Sequence, residues 1–302
     1  MAENSKIAWT THTFNPWWGC QRVSPGCQHC YAEALDKRVG GGVDPADGVK
    51  KTRWGPKAPR LRTSPANWRQ PLRWNRLALE VGERHRVFCA SMADVFEDRP
   101  ELATWRLDLF DLIRKTPQLD WLLLTKRPEG IRRLLSASLA LMPPSFAQEP
   151  GTTAHMLSMW LTGDPPANVW LGTTVEDQQR ADERIPALLS VPAVVRFLSM
   201  EPLLEHVELG YSVGFPPVPG PRPDWIIIGG ESGHGARPFH TEWARDLVEQ
   251  ARALGAAPFV KQLGENAVAA GRDQLALLKM DDHGDIDQFP AGLRVREFPV
   301  VR

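Results

Sequence analysis

Short apolar runs recur along the chain, and amphipathic stretches separate them. The segments Ile7–Thr11, Val87–Ser91, Trp121–Thr125, Val169–Thr173, Val194–Ser199, Trp225–Gly229 and Phe259–Gln262 read as strands. Helical spacing marks Cys30–Val39, Trp68–Val81, Glu101–Lys115, Glu129–Leu135, Asp177–Leu189 and Thr241–Leu254. The last has Thr241 as a cap, Glu242 in its first turn and Gly255 as its stop. Strands alternating with helices predict parallel pairing through right-handed crossovers. The fold class is therefore α/β, a full or partial (β/α) barrel, with an open doubly wound sheet as the architectural alternative.

Two stretches break this rhythm. Ser136–Pro166 is rich in Ser, Ala, Met and Pro and reads as an insertion; Ser212–Pro223 (SVGFPPVPGPRP) is a Pro-rich loop before a strand. The alternation resumes after each. The expected organisation is a single barrel-like domain over residues 1–302, with a basic, Trp-containing insertion at about 40–76 and a loop insertion at about 136–167.

Thirty-six basic residues balance 36 acidic ones. That excludes a uniformly basic nucleic-acid binder and leaves room for a local patch. No apolar run reaches the ~18 residues of a spanning helix, so no membrane partner is expected. Met1–Thr10 has no apolar core of the signal-peptide kind, and the expected location is cytoplasmic. Four cysteines are too few for a disulfide scaffold, and clustered thiols in a reducing compartment point to metal or catalysis.

Three of them follow the first strand in the segment GCQRVSPGCQHCYAEALDKR, spaced Cys20-x6-Cys27-x2-Cys30. Three thiolates can hold three irons of a [4Fe–4S] cube and leave the fourth open to a ligand. Gly19, Pro25 and Gly26 permit the sharp turns this needs, and Tyr31 stands where it could cover a cluster. Structural zinc is the alternative; it wants four closed ligands, and His29, Cys89 or His12 could supply the fourth. Cys89, inside Val87-Phe88-Cys89-Ala90, reads more simply as a small core residue.

Nearly every predicted strand ends in polar residues: Ser91 and Asp94, Lys126 and Arg127, Glu176, Glu201, Gly230-Glu231, and Lys261-Gln262. In a parallel barrel such ends converge on the face where active sites lie. Each also has a plainer reading. Asp94 can cap the turn before Phe96, Glu176 and Glu201 can pair with Lys126, Arg127 or Arg237, and Gly229-Gly230 can be a strand-ending turn. Lys261 could bind a carboxylate or phosphate.

The blocks IAWTTHTFNPWWGC, SPGCQHCYAE, VFCASMADVFED, WLLLTKRPE, NVWLGTTVEDQ, RFLSMEPLLEHV, DWIIIGGESGHGARPF, FVKQLGE and FPAGLRVREFP occur in this order. With them the chain resembles the phage Gp37/Gp68 family (DUF5131), a domain-of-unknown-function family that is itself similar to radical S-adenosylmethionine (SAM) enzymes. The resemblance implies a barrel of the radical-SAM type. It implies a [4Fe–4S] cluster on Cys20, Cys27 and Cys30, with SAM chelating the open iron and an electron donor that reduces the cluster. Ser91 and Asp94 would then contact SAM. Gly229-Gly230-Glu231 resembles the GGE motif that binds its amino group, and Glu176 and Glu201 would hold ribose hydroxyls or a substrate.

From Lys50 to Arg76 there is no acid, while Lys50, Lys51, Arg53, Lys57, Arg60, Arg62, Arg69, Arg73 and Arg76 interleave with Trp54, Trp68 and Trp74. Cations among aromatics are the ingredients of phosphate pairing and base stacking. Arg69, Arg73 and Arg76 share one helix face, and Trp54 is the stacking candidate. An Arg-rich helix face over core tryptophans is the plain alternative. The run DDHGDID at 281–287 lacks calcium-loop spacing and reads as a hairpin turn.

The functional expectation is a radical-SAM-like [4Fe–4S] enzyme that cleaves SAM to start radical chemistry on an unknown, nucleic-acid or nucleotide, substrate. Two alternatives stand beside it: a non-catalytic zinc or iron–sulfur protein binding nucleic acid or a partner protein, and a hydrolase or transferase using Glu176 and Glu201.

Overall fold

A computed structural model of the chain describes residues 3–39, 52–210, 220–270, 275–278, 280, 282 and 284–301. Its strands are β1 (His12–Thr13), β2 (Trp17–Trp18), β3 (Leu61–Arg62), β4 (His85–Cys89), β5 (Leu119–Thr125), β6 (Val169–Thr174), β7 (Val195–Met200), β8 (Trp225–Gly229), β9 (Phe239–His240), β10 (Ala257–Gln262), β11 (Ala267–Ala270) and β12 (Leu275–Leu277). Its helices are α1 (Tyr31–Arg38), α2 (Pro65–Val81), α3 (Leu102–Arg114), α4 (Ile131–Leu139), α5 (Thr153–Thr162), α6 (Gln178–Leu189) and α7 (Thr241–Leu254). Among the described residues no helix is long and apolar enough to cross a membrane.

Seven strands form one sheet in the order β1-β4-β5-β6-β7-β8-β10. Its pairs β1–β4, β4–β5, β7–β8 and β8–β10 are parallel. The order follows the chain without the reversal of a doubly wound sheet, so that alternative falls away. Among the described residues β1 and β10 stand at its two edges, which corrects the full barrel to a partial one.

The chain divides into two compact units, Met1–Val23 with Ala32–Leu171 and Val191–Val194, and Ser24–Tyr31 with Gly172–Ser190 and Val195–Arg302. In the first, Phe14 stands edge-on to both Trp121 and Trp68 at 5.6 Å, and Trp17, Trp74 and Phe110 are buried. Helix α2 starts earlier than its apolar pattern predicts, because Ser64 caps it and Pro65 suits the first helical position; Gly82 at φ 71° stops it. The segment 136–166 holds the end of one helix and the whole of another. α4 runs through Leu139, and α5 buries Ala154, Leu157 and Trp160 at helical spacing. The Trp160 indole donates to the Pro192 carbonyl at 2.7 Å. The first strand lies later than Ile7–Thr11, at His12–Thr13, where it registers with Val87 and Phe88.

In the second unit Trp225 contacts Phe197 at 6.0 Å and Phe259 at 5.7 Å. Gly172 is obligatory, because a Cβ there would stand 2.3 Å from the Phe197 ring. Thr241 is the first residue of α7 rather than its cap, which is His240; Gly255 at φ 75° ends the helix as expected. The small sheet β12-β11-β9 escaped prediction because its strands have two to four residues. In the run 281–287, Ile286–Gln288 forms a short 3-10 turn capped by Asp285. Residues 40–51 of the basic insertion (Lys50 and Lys51 among them), 212–219 of the Pro-rich loop, Asp281 and His283 lie outside the described residues.

Candidate functional site

In the first unit the site is built around Cys20. Gly19 precedes it at φ 113°, with its N–H donating to the Met92 carbonyl at 2.9 Å. A Cβ on Gly19 would meet the Arg53 carbonyl oxygen at 2.5 Å and Arg60 Cδ at 2.8 Å, so only glycine fits. The Gly55 N–H donates to the Cys20 carbonyl at 2.9 Å. Residues 52–60 thus form a strap over the chain at Cys20. Arg60, fully buried, fastens the strap. It holds Glu97 through two contacts of 2.7 and 2.5 Å, and donates to the carbonyls of Arg53 (2.9 Å), Ala58 (2.8 Å) and Gly55 (3.3 Å). Arg53 itself pairs with buried Asp36 in α1.

Arg127 stands beside the Cys20 thiol, Nη1 to Sγ 3.9 Å, and donates to the Gln21 carbonyl at 2.8 Å and to Asp94 at 2.6 Å. Burial pushes the Cys20 thiol up to about 12, the Asp94 charge adds to this, and Arg127 opposes it. Asp94 accepts from the Phe96 N–H (2.9 Å), the Thr125 hydroxyl (2.7 Å), the Lys126 N–H (3.1 Å) and Arg127. It therefore joins the exits of β4 and β5, and the turn cap foreseen as its plainer role is present. Ser91 exchanges hydrogen bonds with the Asn15 side chain at 3.0 and 3.3 Å. Cys89 is fully buried, as expected of a core residue, and burial pushes its thiol up.

In the second unit lies the loop carrying Cys27 and Cys30. It is tied at three points. The Gly26 N–H donates to Glu176 Oε1 at 3.1 Å, Arg237 Nη1 donates to the Pro25 carbonyl at 3.1 Å, and His29 Nδ1 meets Glu231 Oε2 at 2.9 Å. Glu176 is fully buried, and Arg184 holds its other oxygen at 2.9 Å. Glu231, also buried, accepts from Arg237 three times, at its backbone N–H (3.0 Å), Nε (3.0 Å) and Nη2 (2.6 Å). Burial alone would raise the Glu231 carboxyl. The Arg237 side chain, its N–H and His29 outweigh that and hold it down at about 2. Glu176 thus holds Arg184 and the loop, and Glu231 holds Arg237 and His29.

The glycines before Glu231 serve packing. A Cβ on Gly230 would meet the Leu263 carbonyl oxygen at 2.3 Å, and one on Gly229 would meet Glu201 at 3.2 Å. Neither position leaves room for a side chain. Glu201 pairs with Lys261 at 2.5 Å at the exits of β7 and β10, both half-buried. Tyr31 is exposed.

The basic tract divides. Trp54 is 7% exposed, so the stacking candidate lies inside the fold, where no base reaches its ring. Trp68 is covered by the Arg62 guanidinium at 4.5 Å, and Arg62 pairs with Asp108 at 2.7 Å. Arg69, Arg73 and Arg76 are exposed on α2, with Arg73 paired to Glu3 at 2.7 Å. The roles of Arg60, Glu97 and Arg184 carried no sequence signal. Arg237 carried one, because Gly233 and Gly235 at φ 93° and 78° turn its segment back within six residues of Glu231.

No cysteine is in a disulfide, so the donor chemistry at positions 20, 27 and 30 is that of free thiols, as cluster or zinc ligation requires. Among the described residues no group of three or more His, Cys, Asp or Glu stands together as a ready ligand set. The family model described as a protein of unknown function (DUF5131) matches residues 4–290. No curated protein and no solved structure matches the chain.

Proposed function

The chain belongs to that family of unknown function, DUF5131, and from this premise we propose that it is an iron–sulfur enzyme of the radical-SAM kind, as its resemblance to the phage Gp37/Gp68 proteins implies. One observation carries the reading: the Cys27–Cys30 loop is tied to two buried carboxylates while its own thiols remain unbridged and half-buried. A surface loop held this firmly has a reason to keep its thiols in place. Cys20, Cys27 and Cys30 would hold the cluster, which with SAM supplies one-electron cleavage of the sulfonium to start radical chemistry. In this reading Arg127 offsets negative charge beside Cys20, and the Asp94 network fixes Arg127 in that place. Lys261 and Glu201 are the accessible charged pair at the strand exits and the candidate contacts for SAM or a nucleotide substrate.

Anaerobic reconstitution with iron and sulfide tests it. The expected result is a brown protein with about four irons. Dithionite reduction should then release 5′-deoxyadenosine from SAM. Cys20→Ala, Cys27→Ala and Cys30→Ala should each lose the cluster, and Cys89→Ala should keep it. Unchanged iron in the three ligand variants overturns the assignment.

A second reading, a non-catalytic zinc or iron–sulfur protein that binds nucleic acid or a partner protein, draws on the exposed row Arg69, Arg73 and Arg76. A colourless protein that retains zinc and releases no 5′-deoxyadenosine favours it.

A further inference from the structure

We propose that Glu231, Arg237 and Glu176 are positioning residues that preset the Cys27–Cys30 loop for metal, and that Glu231 is not a contact for a bound ligand. The inference rests on the thiolate-ligation reading above and names how this chain prepares two of its ligands. The loop holds itself only lightly. Its 3-10 turn is closed by Cys27 N–H to the Ser24 carbonyl at 2.9 Å and Gln28 N–H to the Pro25 carbonyl at 3.1 Å. Further fixation comes from the carboxylates and Arg237.

Both oxygens of Glu231 are already used. Oε1 accepts from Arg237 Nη2 at 2.6 Å, and Oε2 accepts from the Arg237 N–H and Nε and meets His29. An ammonium arriving at Glu231 would have to displace a guanidinium and free His29, one of the two residues between the cysteines. The Gly230 side that would admit such a ligand is filled by the Leu263 backbone. At the other end of the loop, Gly26 approaches Glu176 so closely that a Cβ would stand 3.0 Å from its carboxylate. Charge-assisted bonds of this kind are short and directional, so they fix a loop better than neutral ones. Ligands held before the metal arrives bind with less ordering cost.

The test uses the reduced, metal-free full chain. Iodoacetamide alkylation is followed at each cysteine by peptide mass spectrometry, and cobalt(II) binding by its thiolate charge-transfer absorption. Glu231→Gln, Arg237→Met and Gly26→Ala should each speed alkylation of Cys27 and Cys30 and leave Cys20 unchanged. Cobalt affinity should fall about tenfold, as when outer partners of metal ligands are removed. Arg237→Lys should restore part of the loss. Gly26→Ala leaves both carboxylate–arginine pairs intact, so it carries the test should Glu231→Gln fail to fold. Alkylation unchanged in Glu231→Gln and Gly26→Ala overturns the proposal, and so does loss of SAM binding in Glu231→Gln with cysteine reactivity unchanged. If alkylation shifts as expected but the wild-type protein binds neither cobalt nor iron, the loop assignment holds and the cluster reading fails.

Discussion

Replacing Arg60 by Met removes a fully buried guanidinium and keeps most of the side-chain volume. Two effects follow. Glu97, only 4% exposed at its side chain, loses its bidentate partner. Stranding one member of a buried ion pair costs about 3–5 kcal/mol. The carbonyls of Arg53 and Ala58 lose donors at 2.9 and 2.8 Å, adding roughly 1 kcal/mol each at the low end for partly buried acceptors. The single variant should therefore lose about 5 kcal/mol, or about 10–20 °C in melting temperature for a unit of this size. The double variant Arg60→Met/Glu97→Leu separates the two effects. Removing the stranded carboxylate recovers the larger part, because apolar replacement of a buried pair is often neutral, but the carbonyls stay unsatisfied and about 2 kcal/mol stays lost. Thermal and urea unfolding by circular dichroism, on the wild type and both variants, measures this. The strap also supplies the Gly55 N–H to the Cys20 carbonyl, so alkylation of Cys20 should quicken in Arg60→Met while Cys27 and Cys30 keep their rates. A single variant melting within about 2 °C of wild type refutes the clamp. A double variant that recovers completely refutes the role given to the carbonyls.

Gly19→Ala forces a Cβ to 2.5 Å from the Arg53 carbonyl at φ 113°; a loss of at least about 1–3 kcal/mol, read as a lowered urea midpoint, is expected, and an unchanged midpoint counts against the strap. His12 is buried against Trp74 at 4.3 Å, and burial first, then His85 and Arg73, lower its pKa from 6.5 to about 4. The unfolded chain takes up that proton first, so as pH falls from 6.5 towards 4 the protein should lose about 3 kcal/mol, and His12→Gln should flatten that part of the stability profile. Glu231, held at about 2, contributes stability that is full above the unfolded carboxyl range near 4.5 and is lost as pH falls from there towards 2; Glu231→Gln should remove this acid limb. Reversing Arg69, Arg73 and Arg76 to Glu should abolish any salt-sensitive gel shift of single- or double-stranded DNA or RNA without changing the melt; no shift by the wild type at micromolar protein and low salt removes nucleic acid from consideration.

The apolar runs and helical spacing by themselves determined the alternation of strand and helix, because a fully buried parallel strand such as Trp225–Gly229 and an amphipathic helix such as Thr241–Leu254 each carry their period locally. The cysteine spacing and the polar strand ends were equally plain. What the chain could not disclose in one dimension were its partnerships. β2, β9 and β12 are too short to show a period; β2 and β9 exist through pairing with distant segments, and β12 through pairing with its neighbour β11. Glu97 finds Arg60 across 37 positions, and Asp94 finds Arg127 across 33. Glu176 takes Arg184 from α6 together with the Gly26 N–H from the cysteine loop. An arginine reads the same in sequence whether it faces a phosphate or a buried carboxylate. Only the tertiary structure decided, because burial makes an unpaired charge so costly that each buried carboxylate takes the guanidinium the fold brings within reach. That is why Arg53 and Arg60 are internal ties, while Arg69 and Arg76, a few residues on, remain at the surface.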